Sequence, residues 1–184
     1  MTDVVIVGDG PGGLSAALFL RRGGLGARIF GQDKTAMHWA MLNNYLGIES
    51  MVGTDFHEIA CAQVKGAGAE IVHARVESIA KTDAGFEVTL EGGESETGRY
   101  LILSEGQQPR LAQQLGLAHD EASGIQTDRN SRTSVDGVYV VGRASRPGRS
   151  QAIISAGDGA AAAIDILSTE TGKAYCDWDD APKK

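Results

Sequence analysis

Cysteine is scarce in this 184-residue chain: there are two, Cys61 and Cys176, far apart in sequence. That excludes a disulfide-dense secreted scaffold and a paired-cysteine zinc knuckle. Proline is scarce too, at 4 residues. Basic residues number 17 against 24 acidic ones, a formal net charge of −7, which argues against a nucleic-acid partner held by its phosphates. No apolar run reaches the roughly 18 residues of a membrane span, so no membrane partner is expected. Met1-Thr2-Asp3 leads straight into Val4-Val5-Ile6-Val7 with no basic stretch, so no secretion signal is visible and a cytoplasmic location is the expectation. There is no internal repeat and no obvious linker. One domain over residues 1–170 with a polar tail over 171–184 is therefore expected.

Glycine, by contrast, is abundant. The 25 glycines are about twice the usual share of roughly 7%, and with no collagen-like period they signal turns and close backbone approaches. Hydrophobic residues make up 42% and charged residues 22%, an ordinary globular balance with enough chain for a real core.

Val4 to Val7 reads as a buried parallel strand, Leu14 to Leu20 as a helix stopped by Arg21-Arg22 and Gly23-Gly24, and Ala27 to Phe30 as a second strand. Together they make a βαβ unit. Gly31 to Gly47 looks like a long functional loop with room for a helical turn. Thr54 to Lys65 reads as a helix with Thr54 as N-cap and an apolar face of Phe56, Ile59, Ala60 and Val64. Glu70 to Lys81 is strand-like, Phe86 to Leu90 alternates and pairs with it, and Tyr100 to Leu103 returns as a buried strand. Arg110 to Gly116 suggests a turn or two of helix, Val138 to Val141 the last core strand, and Gln151 to Ser168 a long small-residue helix. In the tail, Tyr175 and Trp178 are the candidate anchors.

Gly8-Asp9-Gly10-Pro11-Gly12-Gly13 fits G-x-G-x-x-G and stands between a strand and a helix, where a dinucleotide fingerprint belongs. Gly8 permits the tight turn, Gly10 leaves the backbone open to a pyrophosphate, and Gly13 lets helix and strand pack closely. The helix N-terminus offers amides and a positive dipole end. The acidic residue that bonds a ribose in such units sits near the end of the second strand. Here Gln32 and Asp33 share that stretch.

A second group of motifs narrows the class. Thr133-Ser134-Val135-Asp136-Gly137-Val138-Tyr139-Val140-Val141-Gly142-Arg143, then Gln151-Ala152-Ile153 and the helix through Ala156-Gly157-Asp158-Gly159, resemble the C-terminal FAD motif of the thioredoxin-reductase-like flavoproteins. Those belong to the pyridine nucleotide-disulfide oxidoreductase superfamily. Asn44-Tyr45-Leu46-Gly47 resembles the family's E-N-[WYF]-x-G loop. Leu101-Ile102-Leu103-Ser104-Glu105-Gly106 resembles its I-I-A-T-G strand end, and Ala74-Arg75-Val76 its adenine-binding segment.

The resemblance implies noncovalent FAD, with Gly8, Gly10, Pro11, Gly12 and Gly13 at the pyrophosphate and Gln32 or Asp33 at the adenosine ribose. Val76 would meet the adenine. Asn44, Glu105, Gly106, Gly142, Arg143, Gln151, Ala152 and Ile153 would lie along the ribityl and flavin end. It also implies a homodimer, because FAD domains form that contact in the family.

Departures from the family pattern are informative. Only Gln107 to Arg132 lies where full members insert a second, nucleotide-binding domain of about 100 residues. Neither C-x-x-C nor C-x-x-x-x-C is present. The family's Thr and Asp at two strand ends are Glu105 and Arg143 here, which suggests an ion pair or an arginine on the diphosphate. Cys61 reads as a structural thiol, and His38 and Trp39 fall in the loop that should border the flavin. No catalytic residue and no metal site can be assigned.

The expected fold is an α/β, Rossmann-like three-layer FAD-binding fold, a central parallel sheet with a β-meander on one face. The expected function is a small flavoprotein oxidoreductase or electron-transfer protein, with a redox partner protein docking over the open flavin face. A non-catalytic FAD-holding subunit and a plain NAD(P)-binding domain are the alternatives.

Overall fold

The computed structural model describes residues 2–180. β1 (Thr2–Val7), α1 (Pro11–Arg22) and β2 (Ala27–Gly31) form the first βαβ unit, with β2 parallel to β1. A 3-10 turn (Ala36–Trp39) and a short hairpin of β3 (Met41–Leu42) and β4 (Met51–Val52) occupy the stretch read as a loop. α2 (Gly53–Gly66) then leads to β5 (Glu70–His73), which extends the parallel sheet beside β2. β6 (Val76–Thr82), β7 (Gly85–Leu90) and β8 (Ser95–Leu103) make the antiparallel meander. α3 (Arg110–Gln114), a hairpin of β9 (His119–Asp120) and β10 (Gly124–Ile125), β11 (Val138–Val140) and α4 (Ala152–Thr171) complete the chain.

β8 joins the parallel and antiparallel parts. Along one edge it runs parallel to β1. Along the other it pairs first with β7, Phe86 opposite Gly98, and then with β11, Val138 opposite Leu101. The meander thus peels away from the parallel sheet rather than lying apart from it. Two apolar cores result. One, including Ile6, Leu14, Leu20, Ile102, Ile166 and Leu167, fills the space between the sheet and the helices α1, α2 and α4. The other, including Val5, Phe30, Val88, Leu101, Leu111 and Val140, lies between the sheet, the meander and α3.

Several local expectations need correction. Glu70 to Lys81 is not one strand. The amide of Ala74 is drawn to the Gly31 and Val72 carbonyls, and the chain leaves the parallel edge there to enter the meander. Thr54 does not cap α2. The helix starts at Gly53 with no side-chain cap, because the Gly53 amide donates to the Ala40 carbonyl at 2.9 Å. A Cβ at Gly53 would also meet the Met37 carbonyl oxygen at 2.1 Å, so a tertiary contact, not a cap, fixes the start. The inward face of α2 is rotated as well: His57 is buried at 6% while Ile59 is 57% exposed.

By length and composition α4 could cross a membrane, although Asp158 and Asp165 interrupt its apolar run. In the fold Ala162, Ala163, Ile166 and Leu167 are buried in the helix-side core. In the tail Tyr175 packs on that core, whereas Trp178 stays 79% exposed and Arg22 of α1 pairs with Asp177 and Asp179 instead. The last four residues of the expected tail lie outside the described residues.

Candidate functional site

The C-terminal ends of β1, β2, β8 and β11 open onto one cleft, and the glycine loop forms its floor. Gly8 takes φ +102°, and a Cβ there would meet the Ser104 carbonyl oxygen at 2.2 Å. A side chain is therefore excluded by both conformation and contact. Gly13 is equally constrained by contact, since its Cβ would meet the Gly8 carbonyl oxygen at 2.0 Å. Gly10 is different. It occupies the N-cap of α1 in extended backbone, with only Thr35 Oγ1 near, at 3.6 Å. Pro11 follows at the first helical position, and no side chain caps the helix. The first amides and the positive dipole end of α1 are left for an anion.

The cleft has a volume of about 590 Å³. Of the residues singled out from sequence, Gly8, Gly10, Pro11, Gly12, Gln32, Val76, Glu105, Gly106, Gly142, Arg143, Gln151 and Ala152 line it. Gly13, Asp33, Asn44 and Ile153 do not. Gly13 lies under the loop. Asn44 sits just outside and donates from Nδ2 to Gln151 Oε1 at 2.9 Å, so two motifs far apart in sequence meet. Asp33 turns away with φ +54°. Its amide donates to Asp9 Oδ2 at 2.9 Å and its carboxylate lies 2.8 Å from His38 Nε2, which leaves Gln32 as the side chain at the end of β2 that reaches the cleft.

Glu105 and Arg143 do not form the ion pair suggested by their opposite charges. The Glu105 carboxylate accepts from the Leu111 and Ala112 amides at 2.8 and 3.0 Å and so caps α3. Those bonds and Arg110 oppose the upward push that burial gives its pKa, and burial prevails. Arg143 stays exposed on the cleft wall. The pair that does form joins Arg146 to the buried Asp158, Nε to Oδ1 at 3.0 Å. The same carboxylate accepts from the Gly142 amide at 3.2 Å. Burial pushes the Asp158 carboxyl above its ordinary range, against the pull of Arg146 and that amide. This contact fixes the turn after β11 to the first half of α4.

Sequence reasoning missed Lys34, Thr35, Ser104 and Arg110, all on the cleft wall. Arg110 donates to the Val76 and Glu77 carbonyls at 2.9 and 2.7 Å and ties α3 to β6. Asp9, at the first x of G-x-G-x-x-G, is buried with its carboxylate against Gly31, where a Cβ would meet Asp9 Cγ at 2.4 Å. No local signal marks it. Cys61 is half-buried on α2, its Sγ 3.7 Å from His57 Nε2, and burial pushes its thiol up. Cys176 is exposed. Trp39 lines the cleft mouth, whereas Tyr45 packs on Phe56, ring centroids 5.3 Å apart, beside a separate apolar groove.

Comparison with known proteins gives a consistent set of relatives. The profile of a family described as pyridine nucleotide-disulphide oxidoreductase matches residues 43–159. A thioredoxin reductase of Listeria monocytogenes is 27% identical over 122 residues, 65% of this chain and 37% of that protein. A thioredoxin reductase of Spironucleus barkhanus is 35% identical over 108 residues, 56% of this chain and 35% of that protein. The matches thus span little more than a third of these curated relatives. Among solved structures, a thioredoxin reductase from Gloeobacter violaceus superposes with a TM-score of 0.86 at 19% identity, covering 97% of this chain and 99% of that chain. The atypical thioredoxin reductase TRi from Desulfovibrio vulgaris Hildenborough gives 0.81 at 18% identity, covering 92% and 99%. These superpositions establish the fold, the Rossmann-like α/β architecture expected from sequence.

Proposed function

Since the chain belongs to the pyridine nucleotide-disulphide oxidoreductase family, we propose that it is a small FAD-binding flavoprotein that works as an oxidoreductase or electron carrier. One observation carries this reading. A single cleft gathers the glycine loop, the end of β2, the start of β6, the end of β8 and the start of α4, the segments that the family resemblance assigns to one extended dinucleotide.

The residues present fit such a group. The open position at Gly10 and the uncapped start of α1 suit a pyrophosphate. Gln32 suits the ribose, and the Ala74-Arg75-Val76 segment suits the adenine. Arg143, which makes no ion pair among the described residues, offers a bidentate donor to the diphosphate from the opposite wall. Gln151, oriented by Asn44, starts α4 beside the flavin end. When bound, the flavin supplies the redox chemistry; the chain binds it, orients it and limits water around it.

Between β8 and β11 the described chain holds only α3 and the β9–β10 hairpin, and no cysteine pair has redox spacing. Both features favour electron exchange with a partner protein over self-sufficient disulfide reduction. The purified protein is expected to be yellow and to retain flavin absorption through gel filtration. A colourless protein that takes up no FAD overturns the reading, and uptake of NAD without FAD marks a plain nicotinamide-nucleotide domain.

Assembly as a homodimer, and a cytoplasmic location, belong to the same proposal. Around the cleft mouth and α2, Trp39 is 82% exposed, Met41 58%, Leu46 90% and Ile59 57%, an apolar surface of the kind that association covers. Light scattering at micromolar protein should return twice the chain mass. A monomer there removes the dimer and leaves the FAD reading standing.

A further inference from the structure

Beneath the glycine loop, outside the cleft, three side chains from three segments converge. Asp33 follows β2, His38 lies on the 3-10 turn and His57 on α2, and one ligand atom from each lies within 4.8 Å of the others. His57 is 6% exposed. Its Nε2 is 2.8 Å from the Asp9 carbonyl oxygen. An oxygen acceptor at that distance requires the proton on Nε2, so in the neutral ring Nδ1 presents a lone pair. That lone pair faces Asp33 Oδ1 at 3.6 Å. Two acceptors therefore face each other at a distance too long for a hydrogen bond. The spacing is close to the roughly 3.4 Å that separates two ligands sharing one tetrahedral ion with bonds near 2.0–2.1 Å. His38 Nε2 lies 2.8 Å from the same carboxylate oxygen and 3.1 Å from the Asp33 carbonyl oxygen; without an ion it donates there, and an ion takes the place of that proton, which moves to Nδ1 or is released.

We propose that Asp33, His38 and His57 bind one divalent cation of the zinc class. Two imidazole nitrogens and one carboxylate oxygen form a borderline donor set that suits zinc better than calcium or magnesium. The ligands are also held from behind. His57 donates its other nitrogen to a backbone carbonyl, the usual support for a metal-ligating imidazole. The Asp33 amide is fixed by Asp9 Oδ2 at 2.9 Å. The turn carrying His38 is capped by Thr35, whose Oγ1 accepts from the Met37 amide at 3.3 Å. The Asp33 side chain is 52% exposed, so water can complete the coordination. Cys61 is not a ligand in this proposal: its Sγ lies nearer His57 Nε2, at 3.7 Å, than Nδ1, at 4.0 Å, and so sits toward the nitrogen that faces Asp9. Through Asp9 the ion would brace the middle of the glycine loop, linking the end of β2, the turn and α2. The inference is independent of FAD.

The test uses the untagged full chain, stripped with chelator and titrated with zinc by calorimetry. The expected result is one zinc per chain with a micromolar or tighter dissociation constant. Zinc at a hundred times that constant should raise the melting temperature by roughly 5 °C or more. Asp33→Asn and His38→Ala should each weaken binding at least tenfold. Asparagine tolerates the positive φ at 33, so that variant keeps the fold even if a variant of the buried His57 does not. His119→Ala, on the β9–β10 hairpin, should bind as the parent does. No stoichiometric binding at micromolar zinc, or parental affinity in both Asp33→Asn and His38→Ala, overturns the site.

Discussion

Gly10→Asp should fold at least as well as the parent chain and lose its dinucleotide. Gly10 has φ −76° and ψ 179°, values that any residue adopts. Its missing Cβ would find only Thr35 Oγ1, at 3.6 Å, an ordinary contact. Aspartate is among the best N-cap residues, and α1 at present has no side-chain cap, so the change should raise stability by up to about 1 kcal/mol. The same carboxylate would stand where the phosphates must approach. Two like charges about 4 Å apart repel by roughly 4 kcal/mol at an intermediate effective dielectric. After allowance for screening and adjustment, a loss of about a hundredfold or more in FAD affinity is expected. Calorimetric melting checks the first half, and flavin absorbance after gel filtration the second. A folded Gly10→Asp protein that still carries FAD removes the glycine loop from the binding site.

How much was legible in the sequence follows from where each feature's cause lies. The glycine loop was readable because its constraints are local: Gly8 turns the chain with a positive φ, and Gly13 packs against Gly8 itself. The parallel strands were readable because strands buried on both faces need unbroken apolar runs. Val4, Val5 and Ile6 in β1 and Leu101, Ile102 and Leu103 in β8 are all fully buried. The break between β5 and β6 was not readable, because its cause is the Gly31 carbonyl, 43 positions away in sequence (74 − 31). The start of α2 was misread for the same reason: a turn packed below selects Gly53, and the plausible cap at Thr54 goes unused.

The site divides along the same line. Apart from Gly13, which lies beneath, the positions supplied by the loop motif and the ends of β1, β8 and β11 fall on one cleft. The side chains whose partners depend on tertiary packing went elsewhere. Glu105 accepts from two amides of α3 instead of pairing with Arg143. Asp33, a candidate for the ribose, is claimed by His38 and by the Asp9 carboxylate. The convergence of Asp33, His38 and His57 has no spacing signature, because β2, a loop and α2 must be folded before the three meet.

Packing between α1 and α4 sets the other large effect, on stability rather than binding. Gly159→Val should destabilise the fold by about 3 kcal/mol or more. A Cβ at 159 would lie 2.0 Å from the Gly12 carbonyl oxygen and 3.0 Å from the Ala16 amide nitrogen. Both are backbone atoms of α1, so no side-chain rotation relieves the clash and the helices must separate. Separation loosens the buried layer of Leu20, Ala162, Ala163, Ile166 and Leu167 between them and the sheet. Overpacking a well-filled core costs about 1–3 kcal/mol even where side chains can adjust, and here the opposing atoms cannot. For a chain of this length the expected fall in melting temperature is roughly 6–12 °C. Gly157→Ala, two positions earlier in the same helix, supplies the contrast. Nothing lies within 4 Å of a Cβ there, and replacing a helical glycine by alanine should stabilise by up to about 1 kcal/mol. Opposite signs at 157 and 159 would show that close approach of two backbones, not glycine content as such, holds α4 against the glycine loop. Since Gly12 also lines the cleft, the Gly159→Val protein that survives should bind FAD less tightly, whereas Gly157→Ala should bind it unchanged. Equal behaviour of the two variants in melting would remove the α1–α4 contact as the element that sets the floor of the cleft.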